Sequence, residues 1–186
     1  MHPDGKSILL SEEAIRARVR EMGEELSRDY EGKKILCVGI LKGAMIFLAD
    51  LVRYIRVPAF FDFIAVTSYG ASSESSGAVR ILKDLDRSIQ GRHVLIVEDI
   101  IDSGLTLNYL VENLKSREPA SLKICTLLDK PSRRKAPLEI NYNGFPIPDE
   151  FVVGYGLDYN EHYRNLPYIM VLNPAVYQKG DKHVFS

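Results

Sequence analysis

Only two of the 186 residues are cysteine, Cys37 and Cys125, and each sits alone inside an apolar run with no CxxC partner. That arrangement argues against a disulfide framework or a thiolate metal site and leaves two buried, reduced thiols as the expectation. The four histidines, His2, His93, His162 and His183, are scattered without ligand spacing. An excess of charge of one sign is missing as well. The 24 Lys and Arg against 25 Asp and Glu give a net charge of −1, which offers no electrostatic footprint for nucleic acid or an anionic membrane. No apolar stretch is long enough to span a bilayer, since "AMIFLADLV" carries Asp50 and is followed by Arg53. The opening "MHPDGKSILL" lacks the basic and apolar regions of a signal peptide. A cytoplasmic protein is the expectation. No repeat or low-complexity linker divides the chain, so residues 1–186, with 46% apolar and 26% charged residues, are expected to form a single domain with a full core.

Alternating strand and helix patterns fill the first two thirds. "SEEAIRARVREMGEELSRDY" starts with Ser11 as a plausible N-cap and places Ile15, Val19, Met22 and Leu26 on one face of a surface helix. "KKILCVGI" predicts a buried strand and "AMIFLADLVRYI" the helix after it. "AFFDFIAVTSY" is a further strand, rich in aromatic and β-branched residues. "GASSESSGAV" is the most polar stretch and the expected mobile loop. "HVLIV" is apolar throughout, as in a strand covered on both faces, and a helix from about Thr106 to Lys115 follows; "SLKICTLLD" repeats the strand pattern. The alternation predicts an α/β fold with a central, mainly parallel sheet flanked by helices and right-handed crossovers. After Lys130, prolines 131, 137, 146 and 148 punctuate short strands around "LEINYNG", "EFVVGYG" and "YIMVLN", which suggests a small β-rich subregion packed beside the sheet. About thirty residues precede the first strand of the sheet, too few for a separate module.

Ligands of open α/β sheets bind at the carboxyl ends of the strands. Glu98 and Asp99 fall at such an end, as do Lys42 and Gly43, and Asp129 and Lys130. Neither GxxxxGK[ST] nor GxGxxG occurs. "DSGLT" nevertheless has the makings of an anion site: Gly104 permits a tight turn, backbone N–H groups open the helix, and Ser103 and Thr106 add hydroxyl donors. Taken alone, the pentapeptide reads better as an Asp or Ser N-cap on an ordinary crossover helix. The acidic pair before it is harder to explain by packing, because ionised groups resist burial. Two carboxylates suit a sugar diol, or a Mg²⁺ carried by a polyphosphate. Phosphate on the loop and hydroxyls on the acids together describe a ribose 5-phosphate.

In this arrangement "VLIVEDIIDSGLT" resembles the signature by which type I phosphoribosyltransferases bind 5-phosphoribosyl-1-pyrophosphate: apolar strand, two acids, three residues, then small-Gly-x-Ser/Thr. The resemblance implies the type I fold with a small β-rich hood formed by the N- and C-terminal segments. Glu98 and Asp99 would then hold the ribose or a metal, and Asp102, Ser103, Gly104, Leu105 and Thr106 the 5-phosphate. Some relatives carry Lys where Leu105 stands, so one possible cation is missing.

Four other stretches are similar to the hypoxanthine-guanine branch. "LKG" resembles its pyrophosphate loop, where relatives have a cis peptide between the first two residues; Leu41, Lys42 and Gly43 would bind pyrophosphate, with Arg164. "SYG", from Ser68 and Tyr69, looks like the start of the long flexible loop that closes over the reacting centre. In "LLDKPSRR", Lys130 would donate to the exocyclic oxygen of a 6-oxopurine, whereas adenine would oppose donor to donor. Arg133, Arg134 and Lys135 are assigned to a solvated basic turn. In "EFVVGYGLDYNEHYRNLPYI", Phe151 would stack on the purine, Val152 would offer backbone groups, and Asp158, in the same purine segment, would help bind Mg²⁺, often through water. Within that family the expected reaction joins hypoxanthine or guanine to the ribose phosphate, with release of pyrophosphate and formation of IMP or GMP. Asp102 would accept the purine's proton.

The alternatives are a phosphoribosyl-pyrophosphate-binding regulator that has lost catalysis and the xanthine-guanine, adenine or orotate branches. Small molecules are the expected partners, with no nucleic acid and no membrane, and the family tendency implies a homo-dimer or homo-tetramer.

Overall fold

The computed structural model describes residues 1–68 and 79–178. Strand β1 (Gly5–Leu10) leads into α1 (Glu12–Asp29), followed by β2 (Ile35–Leu41), α2 (Ala44–Val52), β3 (Ala59–Ser68) and β4 (Val79–Lys83). Next come β5 (His93–Ile101), α3 (Leu105–Lys115), β6 (Ser121–Asp129) and a single 3₁₀ turn (Pro131–Arg133). Strands β7 (Tyr142–Pro146), β8 (Val152–Val153) and β9 (Ile169–Leu172) precede the short α4 (Pro174–Tyr177). Among the described residues no helix is long and apolar enough to cross a membrane.

A six-stranded sheet in the order β4-β3-β2-β5-β6-β7 forms the centre. Only the edge strand β4 runs antiparallel to its neighbour; β3, β2, β5, β6 and β7 are parallel. Side-chain alternation sends successive residues to opposite faces. Leu95 and Val97 pack with Cys37 and with Phe47, Leu48 and Leu51 of α2 and the Ile15, Val19, Met22 and Leu26 stripe of α1. Val94 and Ile96 pack with Leu107, Leu110, Val111 and Leu114 of α3. The uninterrupted apolar run of β5 is therefore needed, since both faces are covered. Helix α1 begins where expected: Ala14 N donates to Ser11 Oγ, and its acidic first turn, Glu12 and Glu13, suits the positive end of the helix dipole.

Three elements differ from the sequence reading. β4 lies directly after the predicted mobile loop, of which residues 69–78 lie outside the described residues. β7, which overlaps only the end of "LEINYNG" and runs on to Pro146, joins the main sheet beside β6 rather than the β-rich subregion. Its Gly144 explains the close approach, because a Cβ there would run into the Leu127 carbonyl of β6. That subregion is a three-stranded antiparallel sheet, β1-β9-β8, whose first strand, Gly5–Leu10, lies in the N-terminal segment that the resemblance gave to the hood but that the local pattern did not mark as a strand. Alternation is weak in "GKSILL", and its pairing with β9 is interrupted by register shifts. The partner strand supplies what local pattern does not.

Candidate active site

Three neighbouring parallel strands, β2, β5 and β6, deliver their carboxyl ends to one place. β2 ends at the Leu41–Lys42–Gly43 turn, whose Leu41–Lys42 peptide is cis. β5 continues past the acidic pair to Ile101, so Glu98 and Asp99 lie inside the strand rather than just beyond it. Asp99 is in phase with Leu95 and Val97, faces α2, and is only 8% exposed. Its carboxylate rests against Gly43, where any Cβ would overlap Asp99 Oδ2. A carboxylate from one strand end thus packs on the bare backbone of the next. Burial, then the neighbouring Asp99 carboxylate, push the Glu98 carboxyl well above the usual range; burial also raises Asp99.

The loop after β5 settles how α3 is capped. The N-cap is Gly104, at φ +76°, and no side chain caps the helix. The nearest side-chain acceptor is Ser103 Oγ, which receives Leu105 N only at 3.5 Å, too long for a firm cap, so the first-turn N–H groups remain for an anion. The Ser103 carbonyl accepts from Lys135 N at 2.9 Å and Ala136 N at 3.2 Å, which fastens the loop from behind. Leu105 is exposed at the helix start, and Thr106 follows in the first turn.

That fastening segment corrects the reading of "SRRK" as a solvated turn. Lys135 is exposed, but Arg134 forms an ion pair with the buried Asp129 and reaches beneath Gly104. Arg133 Nε pairs with Asp102 Oδ1 at 2.7 Å. The 3₁₀ turn after Lys130 folds Arg133 back onto Asp102 of the β5 loop and Arg134 onto Asp129 at the end of β6. Lys130 itself is buried; its N donates to Ile101 O at 2.9 Å, and its Nζ lies 3.6 Å from Asp149 Oδ1.

The C-terminal block closes the other side. Gly156, at φ +102°, lies so close to the Gly43 carbonyl that a Cβ could not be accommodated, which explains the glycine of "GYGLD". Arg164 donates to the Gly156 carbonyl at 2.7 Å and reaches Asp158 Oδ1 at 2.9 Å and Glu161 Oε1 at 3.2 Å. Asp158 Oδ2 accepts from Glu161 N at 2.9 Å. Lys42 Nζ lies 2.9 Å from Glu161 Oε2. Phe151 is 40% exposed, stacked on Tyr177 at 5.0 Å and met edge-on by Tyr159 at 5.8 Å. Val152 lies in β8, at the edge of the three-stranded sheet, and its side chain is buried.

Apart from Ser68, which ends β3, and Glu98 and Asp99, which lie within β5, the described residues singled out from the sequence lie in the turns after β2, β5 and β6 or in the C-terminal block. Tyr69 lies outside the described residues, and Ser68 ends β3. Glu98, Asp99 and Asp158 are not brought into one cluster: among the described residues no group of three or more His, Cys, Asp or Glu could hold a metal ion. Their donor chemistry remains right for Mg²⁺, which takes one or two carboxylates and completes its shell with water and phosphate. Glu161, Asp149 and Arg133 were missed. Glu161 and Asp149 lie near predicted ligands of opposite charge in the sequence, a signal with no directional content, and Arg133 stands 31 residues from Asp102.

Residues 6–160 match the phosphoribosyl transferase domain family. The hypoxanthine-guanine phosphoribosyltransferase of Mycobacterium avium is 57% identical over 182 residues, covering 95% of this chain and 90% of that protein. That of Bacillus subtilis is 56% identical over 178 residues, covering 96% and 99%. A hypoxanthine phosphoribosyltransferase crystal structure from Staphylococcus aureus superposes with a TM-score of 0.92 at 54% identity, covering 95% of this chain and 96% of that one.

Proposed function

The chain belongs to the phosphoribosyltransferase family, and from that membership we propose that it is a purine-salvage enzyme of the hypoxanthine-guanine type. It joins hypoxanthine and/or guanine to 5-phosphoribosyl-1-pyrophosphate, giving IMP or GMP and pyrophosphate. The observation that carries this reading is the convergence of Lys42 and Gly43, of Asp99, Asp102 and the Gly104-capped helix, and of Lys130 at three adjacent strand ends.

The α3 N-terminus, through the backbone of Asp102–Thr106 and the Ser103 and Thr106 hydroxyls, takes the 5-phosphate. Glu98 and Asp99 accept the ribose hydroxyls. Lys42, the Gly43 backbone and Arg164 hold the pyrophosphate as it departs. Phe151 stacks on the purine, Val152 offers backbone groups to its edge, and the Lys130 ammonium donates to its exocyclic oxygen. As pyrophosphate leaves, positive charge develops on the ribosyl ring and the imidazole of the base attacks the anomeric carbon. The imidazole must shed its proton, and Asp102 accepts it.

Mg²⁺ fits the site. The like-charge contact that raises Glu98 is one that a cation relieves, and Asp158, with both oxygens already engaged, suits contact through water. Glu98 and Asp99, or Asp158 through water, would hold the ion, which would supply charge neutralisation for the pyrophosphate. Residues 1–186 form one domain with β1, β8 and β9 as its hood, in a cytoplasmic homo-dimer or homo-tetramer.

The test is pyrophosphate release and nucleotide formation with hypoxanthine, guanine, xanthine and adenine. Turnover of the first two with adenine ignored is the expected result. A preference for adenine would remove Lys130 from its role, and binding of phosphoribosyl pyrophosphate without any turnover would mark a regulator.

A further inference from the structure

Four charged groups on the base side of the site form one chain. Lys130 Nζ lies 3.6 Å from Asp149 Oδ1, Asp149 Oδ2 lies 3.4 Å from Arg133 Nη1, and Arg133 Nε lies 2.7 Å from Asp102 Oδ1. The two ends are the groups that the proposed function assigns to the purine. The two middle residues have no part in that reaction. Their chemistry nevertheless copies the base: the Asp149 carboxylate is an acceptor before Lys130, as the exocyclic oxygen would be. The Arg133 guanidinium is a donor before Asp102, as the imidazole N–H would be.

We propose that Arg133 and Asp149 are a placeholder pair, which partners Lys130 and Asp102 while the base position is empty and yields them to an incoming 6-oxopurine. The inference rests on the reading that these two end groups bind the base.

The burial pattern suits such an exchange. The Lys130 side chain is only 9% exposed, so an ammonium left there without a partner would be costly. Arg133 and Asp149 are each half exposed and return to water at little cost once displaced. The backbone need not move. Arg133 N donates to Lys130 O at 3.0 Å within the 3₁₀ turn, and Lys130 N is fixed to Ile101 O, so rotation of two side chains suffices. The exchange is selective. A base offering an amino group at that position presents a donor to Lys130 and cannot replace the Asp149 carboxylate.

The test is the kinetics of hypoxanthine use at saturating phosphoribosyl pyrophosphate in Arg133→Gln and Asp149→Asn. Arg133 and Asp149 are themselves half exposed, so removing either from its ion pair corresponds to about a two- to fivefold effect. KM for hypoxanthine is expected to fall by that factor in each variant, with kcat within about twofold of the parent. Arg133→Lys, which keeps the charge, stays near the parent. The double variant gains no more than the larger single effect, because the four groups act as a unit. A KM that is unchanged or raised in both single variants overturns the placeholder, as does a loss of kcat at constant KM. If the parent protein turned over neither hypoxanthine nor guanine, the reading of the base site would fall before any variant was compared.

Discussion

Lys42 Nζ and Glu161 Oε2 stand 2.9 Å apart, and the other oxygen of the same carboxylate reaches Arg164 Nη2 at 3.2 Å. One exposed carboxylate therefore bridges the two cations assigned to pyrophosphate, and the Lys42 and Arg164 contacts lower its pKa. Glu161, Asn160 and Tyr163 all have positive φ, so the segment takes an unusual backbone path to set the carboxylate there.

An anion entering this site has to displace Glu161. Glu161→Gln is expected to lower KM for phosphoribosyl pyrophosphate about two- to fivefold and to tighten product inhibition by pyrophosphate to a similar extent. Because the groups are exposed, the difference from the parent should shrink in roughly 0.5 M salt. Initial rates across phosphoribosyl pyrophosphate concentration, at two ionic strengths, provide the check. A weaker affinity in the variant would make Glu161 a support for Lys42 rather than its competitor.

Asp102→Asn keeps shape and removes the proton acceptor. kcat should fall by about 10²–10⁴ while phosphoribosyl pyrophosphate binding, measured by calorimetry, is largely kept. Near-normal turnover would take Asp102 out of the proton transfer.

Gly43→Ala tests the contact between strand ends. The backbone at Gly43 is ordinary right-handed, so conformation is no obstacle, but the new methyl would overlap the Asp99 carboxylate. Overpacking of this kind costs about 1–3 kcal/mol. The variant should melt lower and bind phosphoribosyl pyrophosphate more weakly. Full retention of both properties would mean that Asp99 can turn away without consequence.

Much of this site was legible because its chemistry is local. The strand, acid pair and Gly104 turn lie within thirteen residues, and the periodicity of β5 and α3 places them without reference to the rest of the chain. The hood's first strand was not legible, since "GKSILL" acquires its strand conformation from β9, more than 150 residues away. Arg133 and Arg134 were misjudged for a related reason. Three consecutive cations have the pattern of a solvated turn, and only the fold shows that Asp102 and Asp129 lie underneath two of them. Gly156 likewise has no local signal of its role, which comes from its approach to Gly43 in the fold.

The buried acidic pair makes a pH prediction with a definite sign. Burial, reinforced by Asp99, holds the Glu98 pKa well above its unfolded value, so the native protein keeps a proton that the unfolded chain releases. Below the ordinary carboxylate range both states are protonated and the contribution of the neutral group to stability is fully present. As pH rises through the folded-state value this contribution is lost, because ionising beside Asp99 costs more than ionising in water. Glu98→Gln cannot ionise, so in EDTA and without substrate it should melt above the parent at neutral pH, with the gap closing towards about pH 4. Each unit of pKa displacement is worth about 1.4 kcal/mol, enough to move the melting temperature by several degrees in a domain of this size. Melting curves from pH 4 to 8 provide the measurement, and a gap that is flat or that widens on acidification would sink the idea. Phosphoribosyl pyrophosphate with Mg²⁺ should reverse the order, stabilising the parent more than the variant, since the ligand requires the carboxylate that the empty site resists.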